Sequence, residues 1–275
     1  MNQHPQTIPD LILFNQLAEH YVRLEGRLRN IAADMESLDQ LIRAHYKTGA
    51  VNHTTRPGDS RSDIDLIDLG CGTGEQAAVL NHMGYAVHGI DISPRMIALA
   101  GQRFGRHPRL SFQLGDFRSY QQARGFAAGY SLFGCLNYLH QDTDLAAVFQ
   151  NATALLKRSG ILILEVWHRR PYSGLGYTYQ APAVVLESSG ESIRRRRRVE
   201  RSVRNGRDFI QIHYEYETRT GHLREMHTFR LFDCEEITRP AQAAGFTLLD
   251  VRGSLGESGF DRKRSGGMVL VLRAP

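Results

Sequence analysis

Apolar residues recur at three- and four-residue steps near the start of the chain: Leu13, Leu17, Tyr21, Leu24 and Leu28, then Leu38, Leu41, Ile42 and Tyr46. That period is helical, so residues 10–47 are expected to form a helical cap. Residues 48–63 are polar, contain glycine and proline and keep no period, which predicts a connecting loop. Beyond it, short apolar runs alternate with amphipathic stretches, as in successive βα units around a mainly parallel sheet. Strands are expected at 64–69, 86–91, 110–114, 127–133 and 160–166, with helices near 75–83, 94–104 and 142–157. Ser93-Pro94 supplies the second of these helices with a cap and a first-turn proline.

From 172 to 232 the texture becomes an alternation of apolar and polar positions, as in Ile210–Tyr216 and Met226–Phe232, punctuated by Asn205-Gly206 and Thr220-Gly221. Antiparallel strands inserted into the α/β unit are expected there. A helix at 234–244, closed by Gly245, and strands at 246–252 and 267–273 complete a seven-stranded sheet. The division this implies is 1–62 for the cap and loop, 63–171 for the core, 172–232 for the insertion and 233–275 for the last helix and strands of the core.

Composition narrows the class. With 41% hydrophobic and 23% charged residues, the chain of 275 residues is neither disordered nor fibrous. The three dispersed cysteines form no CxxC or even framework, and no apolar run approaches the roughly 20 residues of a membrane span. A cytoplasmic location with no membrane partner is therefore expected. The net charge of +5 is local: residues 183–230 hold 11 Lys+Arg against 7 Asp+Glu, while 231–275 balance at 6 against 6.

The chemistry concentrates in Asp68-Leu69-Gly70-Cys71-Gly72-Thr73-Gly74, directly after the first expected strand and opening a helix. Glycines there permit a tight turn and let a ligand approach the backbone. The spacing is GxGxG with Glu75 where a dinucleotide fingerprint needs its third glycine, and no Gly-Lys-Ser/Thr of a P-loop occurs. Asp91, 17 residues beyond Gly74, ends the second strand, where a carboxylate can accept both hydroxyls of a ribose. Gly115-Asp116-Phe117 ends the third strand, where an acid can meet an exocyclic adenine amine.

Through DLGCGTG at 68–74, GIDIS with Met96, and GDF at 115–117, the sequence resembles the class I S-adenosylmethionine-dependent methyltransferases. The resemblance implies a Rossmann-like fold and S-adenosyl-L-methionine as cofactor. It implies Asp68, Gly70, Cys71, Gly72 and Gly74 for the loop beside the methionyl part, Asp91 and Met96 for ribose and adenine, and Asp116 with Phe117 for the base, with Ile92 and Leu132 also at the cofactor. Leu132–Leu139, Glu165–His168, Arg230–Phe232 and Ala244–Phe246 are similar to small-molecule methyltransferases, including amino-sugar N,N-dimethyltransferases, and Ala18-Glu-His-Tyr21 resembles their Ala-x-x-Tyr segment. One departure is Phe126-Ala127, where members commonly carry Phe-Asp.

Methyl transfer from a sulfonium is an in-line displacement, so alignment and exclusion of water matter most, and a base is needed only if the nucleophile arrives protonated. The candidates are His168 and His140 as base and Tyr138 and Tyr21 as orienting groups; for each, a packed or solvated side chain is the plain alternative. His213, His222 and His227 read as strand or turn residues, and their spacing suggests no metal site. The run from Arg194 to Arg207 holds eight arginines against one glutamate: a grip for an anionic acceptor, an exposed strand whose arginines pair with Glu187, Glu191, Glu215 and Glu217, or a nucleic-acid contact, the last lacking stacking aromatics within the run. The reading that results is a methyltransferase acting on a small-molecule acceptor, N-methylation favoured over O-methylation. An RNA-modifying or RNA-binding protein and a catalytically silent cofactor-binding scaffold, the latter as a homodimer, are the alternatives.

Overall fold

The computed structural model describes residues 10–25, 29–46, 60–123, 125–172, 177–188 and 191–275. The helical cap is broken into pieces: short 3-10 turns at Ile12–Phe14 and Ala18–His20, then α1 (Tyr21–Glu25) and α2 (Ile31–His45). Leu28 and most of the loop expected at 48–63 lie outside the described residues. Asn30 sets the start of α2, its side chain accepting from the Ala33 amide at 3.3 Å. The helix buries Met35, Leu38, Leu41 and Ile42, roughly 1.5–3 kcal/mol each.

The core strands are β1 (Asp65–Leu69), β2 (Ala86–Asp91), β3 (Leu110–Leu114), β4 (Phe126–Ser131) and β5 (Leu156–Trp167), interleaved with α3 (Glu75–His82), α4 (Pro94–Phe104) and α5 (Asp142–Leu155). β5 starts four residues before the apolar pattern does, because Lys157, Arg158 and Ser159 at its outset are exposed and carry no apolar signal. The insertion comprises β6 (Thr178–Ser188), β7 (Glu191–Arg204), β8 (Arg207–Thr218) and β9 (Gly221–Arg230), and the chain ends with α6 (Cys234–Ala243), β10 (Thr247–Arg252) and β11 (Gly267–Arg273).

Seven strands form one sheet in the order β10-β11-β5-β4-β1-β2-β3. β1 to β5 are parallel, and β11 runs antiparallel between β5 and β10. Strand order reverses between β1 and β4, and the crevice beyond the carboxyl ends at such a switch point is where ligands bind in open α/β sheets. Separate apolar clusters fill the two faces, one holding Val148 and Phe149 of α5 with Ile237 of α6, the other Leu38 and Ile42 of α2 with Leu80 of α3.

The insertion is a separate antiparallel sheet, β6-β7-β8-β9. Asn205 and Gly206 both have positive φ, which fits the two-residue turn between β7 and β8 to the strand twist. One face of this sheet packs on the N-terminal segment: Leu13, Leu17 and Leu24 share a cluster with Ile210, Ile212, Tyr216 and Phe229. Buried Arg195, 2% exposed, pairs with Glu25 and donates to the Leu24 carbonyl at 3.0 Å, fastening α1 to β7. The cap and the insertion thus enclose the carboxyl-terminal edge of the core sheet from above.

Candidate functional site

At that edge lies a cavity of about 330 Å³. Its lower wall comes from the ends of β1, β2 and β3. The amides of Gly70 and Cys71 both donate to the Ile90 carbonyl, at 2.8 and 2.9 Å, which holds the glycine loop against β2. Gly70 has φ +91°, and a Cβ there would lie 2.7 Å from Cys135 Sγ, so the turn needs glycine. Asp91 Oδ2 accepts from the Gly72 amide at 2.9 Å and Oδ1 from Ser93 at 2.8 Å. Each oxygen keeps a lone pair for a further donor. Asp116 is forked to Arg118, Oδ2 to Nη2 at 2.5 Å, and Arg118 reaches Asp144 at 2.9 Å. Burial raises the Asp116 pKa, but the guanidinium outweighs it and holds the carboxyl below its ordinary value.

Asp68 is the most perturbed acid of this wall. It is 3% exposed, its Oδ2 has no hydrogen-bond partner, and burial, with the charge of Asp91 adding to it, pushes its pKa up to about 8. An orphaned buried carboxylate beside a second acid suits a ligand that brings positive charge. S-adenosylmethionine carries two cationic centres, an ammonium and a sulfonium, with a ribose and an adenine, and the donors and acceptors of this wall fit that set.

The upper wall comes from the cap and the insertion. Ser93 links the halves: its hydroxyl caps α4, accepting from the Met96 amide at 3.2 Å, and donates to the Phe14 carbonyl at 2.8 Å. Tyr21, from α1, meets the Phe14 ring edge-on at 5.9 Å, and Phe14 meets Tyr138 likewise at 6.0 Å. Tyr138 ends a 3-10 turn, Cys135–Tyr138. Asn137 anchors that turn, donating to the Arg230 carbonyl at 2.6 Å and accepting from the Trp167 amide at 3.0 Å. The Tyr138 hydroxyl lies 2.6 Å from His227 Nδ1.

Of the residues expected from the sequence, Tyr21, Asp68, Gly70, Cys71, Gly72, Asp91, Ile92, Met96, Asp116, Phe117, Leu132 and Tyr138 line the cavity. Gly74 does not; it starts α3 with φ +88°, where a Cβ would strike Phe112 at 2.7 Å. His168 is not brought there either. Trp167 faces the cavity, so the next residue of an extended strand faces away. His168, 2% exposed, donates from Nδ1 to the Ser265 carbonyl at 3.2 Å and packs on the Phe260 ring. His140, two residues beyond the turn, donates to the Thr228 carbonyl at 2.9 Å and lies edge-on to Phe209.

Among the cavity residues that sequence reasoning missed, the insertion supplies Arg197 of β7, Ile212 and Tyr214 of β8, and His227 and Phe229 of β9. Their signal was the alternation itself. In register, Arg197 stands opposite Tyr214, and Ile212 opposite His227, so positions two apart on three strands share the inward face. The same alternation splits the arginine run. Arg195 and Arg197 face inward; Arg196 pairs with Glu217 at 2.6 Å and Arg198 with Glu200 on the outer face.

Residues 66–160 match the family model described as a methyltransferase domain. Over 238 residues, 85% of this chain and 84% of the relative, the sequence is 26% identical to the dTDP-3-amino-3,6-dideoxy-alpha-D-glucopyranose N,N-dimethyltransferase of Streptomyces fradiae. In fold it is similar to the sugar N-methyltransferase KedS8 of Streptoalloteichus sp. ATCC 53650, with TM-score 0.72 and 21% identity over 100% of this chain and 97% of that one. It is also similar to DesVI of Streptomyces venezuelae, with TM-score 0.70 and 19% identity over 95% and 98%. The domain match, together with the glycine loop and the acids set around it, makes the core similar to the class I S-adenosylmethionine-dependent methyltransferases. Within that class it resembles the amino-sugar N,N-dimethyltransferases.

Proposed function

We propose that the protein transfers a methyl group from S-adenosylmethionine to the amine nitrogen of a small acceptor bearing an anionic group, a nucleotide-linked amino sugar being the model. The observation that carries this is the composition of one cavity, acids and a glycine loop below, tyrosines, a histidine and an arginine above. When bound, the cofactor supplies an electrophilic methyl on a positively charged sulfur. Asp91 would accept the ribose hydroxyls on its remaining lone pairs, Asp116 and Phe117 would hold the adenine end, and Asp68 would face positive charge. Gly70 and Gly72 allow close approach of the chain.

On the acceptor side, Tyr21 and Tyr138 orient the nitrogen, and Trp167 and Phe229, whose rings lie 4.6 Å apart, keep water out. Arg197 supports the anionic character of the acceptor. Among the described residues no carboxylate pairs with it, whereas Arg29 and Arg118, also at the cavity, are held by Glu165 and by Asp116 and Asp144. An arginine fork suits a phosphate or carboxylate. The paired outer arginines of β7 speak against a nucleic-acid surface.

Calorimetry with S-adenosylmethionine and with its demethylated product tests the cofactor half. Asp91→Ala is expected to weaken both by 10-fold or more, since about 1.5–3 kcal/mol attaches to a hydrogen bond with a charged acceptor; unchanged affinity would remove the ribose assignment. Mass-spectrometric screening of amine, phenol and carboxylate acceptors for a methyl-sized gain tests the other half, and product formation from phenols alone would overturn the choice of nitrogen.

A further inference from the structure

Behind Tyr138, away from the cofactor wall, lies a polar chain that the alignment of two ligands does not require. His227 is 1% exposed and Glu225, two residues before it on β9, is 6% exposed. His227 Nδ1 is 2.6 Å from the Tyr138 hydroxyl, and His227 Nε2 is 3.2 Å from Glu225 Oε2. Neither of those last two atoms makes a hydrogen bond, with the other or with any group among the described residues; they face each other as a buried imidazole–carboxylate pair. Glu225 Oε1 accepts from the Tyr216 hydroxyl at 2.7 Å and from the Leu13 amide at 3.1 Å. Two donors on one oxygen fix the carboxylate and leave the other oxygen turned to the imidazole.

The order of this chain sets its direction. An ionised carboxylate only accepts, so Nε2 carries the ring proton and Nδ1 is left as acceptor for the Tyr138 hydroxyl. The same logic of base and orienting acid activates nucleophiles on unrelated folds. Burial raises the pKa of Tyr138 well above its ordinary value, so this tyrosine passes a proton on rather than standing ionised.

We infer that Tyr138, His227 and Glu225 form a proton relay that deprotonates the acceptor nitrogen, with His227 the terminal base and Glu225 its positioning residue. This rests on the methyltransferase reading above. The N–H proton of the acceptor passes to the Tyr138 oxygen as the Tyr138 proton passes to His227 Nδ1. The N–H bonding pair stays on nitrogen as the lone pair that forms the new C–N bond, and the pair of the breaking C–S bond leaves with sulfur. His227 ends as imidazolium with its Nε2–H against Glu225, and returns the proton through Tyr138 when product leaves and water enters. A second methylation of the same nitrogen uses the relay again, since the singly methylated amine leaves the first step protonated.

The groups facing His227 are Tyr138 from the 3-10 turn, Tyr214 from β8, Glu225 from its own strand, and Phe14 and Phe229 as rings, with Tyr216 of β8 bound to Glu225. Two cations of β7 lie on the same face of the inserted sheet. Arg195 is neutralised by Glu25 and Arg197 lines the cavity.

Two readouts test the relay. Long-range proton–nitrogen NMR of the cofactor-free protein reports the tautomer of His227 without any acceptor. The expected result is the Nε2–H form in the wild type and a switch to Nδ1–H in Glu225→Gln, whose amide would donate to Nε2. Finding Nδ1–H in the wild type, or no change in the variant, overturns the relay. With dTDP-3-amino-3,6-dideoxy-alpha-D-glucopyranose as probe acceptor, His227→Gln and Glu225→Gln are expected to lower kcat at neutral pH by about 100-fold or more. KM and cofactor affinity should be little changed, with activity recovering as pH rises and the free amine accumulates. His213→Gln, on the outer face of β8, is the control and should stay within about twofold. A loss below threefold with an unchanged pH profile, in variants that bind cofactor normally, overturns the proposal. Wild-type protein that shows the expected tautomer and methylates no amine instead defeats the functional reading alone.

Discussion

Replacing Asp68 by asparagine isolates the most unusual charge in the cavity. In the free protein its pKa stands at about 8 against an ordinary 3.8, because burial and the neighbouring Asp91 both oppose ionisation. That rise corresponds to at most about 6 kcal/mol against the charged form. A folded value above the unfolded one means that the native state binds the extra proton. The stability so gained is fully present below pH 4, declines as pH rises towards 8 and is level above that. Asp68→Asn keeps the shape and loses the titration, so its melting temperature should hold between pH 5 and 8 where that of the wild type falls. The larger consequence is in binding. At pH 7 a group of pKa about 8 is roughly nine-tenths protonated, and a cationic ligand beside it favours the carboxylate. Wild-type protein should therefore release between about 0.5 and 0.9 proton per S-adenosylmethionine bound at pH 7. Titration calorimetry in phosphate and in Tris reads this as a difference in apparent enthalpy, and Asp68→Asn should abolish it. Equal heats in the two buffers for wild type, or the same proton release in the variant, would refute the assignment of Asp68 to the charged part of the ligand.

Other perturbations reach different parts of the molecule. Gly70→Ala forces a side chain into a left-handed backbone with Cys135 Sγ 2.7 Å away, and should cost at least about 1–2 kcal/mol, read as a lower melting temperature together with weaker cofactor binding. Arg197→Ala should raise KM for a phosphate-bearing acceptor more than tenfold with kcat little changed, while Arg196→Ala, whose pair with Glu217 is exposed, should leave both within twofold in steady-state assays. Arg230 is buried and holds Asp142 at 2.7 Å and Glu236 at 2.9 Å, so Arg230→Ala should destabilise by about 3–5 kcal/mol in urea unfolding. Burial pushes Glu236 up, but the Asp233 amide and the guanidiniums of Arg230 and Arg169 bring its carboxyl below the ordinary 4.5. The stability it contributes is thus present above pH 4.5 and lost as pH falls through the lower folded value; an acid-unfolding midpoint unmoved in Glu236→Gln would count against this.

What the sequence revealed and what it hid follow from how each part signals itself. The lower wall is built from contiguous loops, so Gly70, Asp91 and Asp116 are visible in short motifs whose spacing a βα unit fixes. The upper wall is built from residues far apart in the chain, Tyr21, Tyr138 and His227, that meet only when the cap and insertion fold over the sheet. Histidine beside tryptophan at the end of β5 looked better placed than histidine in an insertion strand, yet the extended backbone turns His168 away while the register of β8 and β9 turns His227 in. The helical cap was legible as apolar spacing, but its division into 3-10 turns and two helices was not, because Asn30 and the contacts to the inserted sheet decide it.

The division of β7 by the pleat has a consequence for how this protein can change over time. Arg194, Arg196 and Arg198 lie on one face of the strand and Arg195 and Arg197 on the other, so a run that reads as one block is two interleaved sets under different demands. Codons of the outer set are free to drift, and with them the isoelectric point and the way the surface meets its surroundings, while the reaction is untouched. Codons of the inner set are tied, one to the fastening of the cap and one to the lining of the cavity. Selection for solubility and selection for a new substrate can therefore act on neighbouring positions of a single strand without interfering with each other.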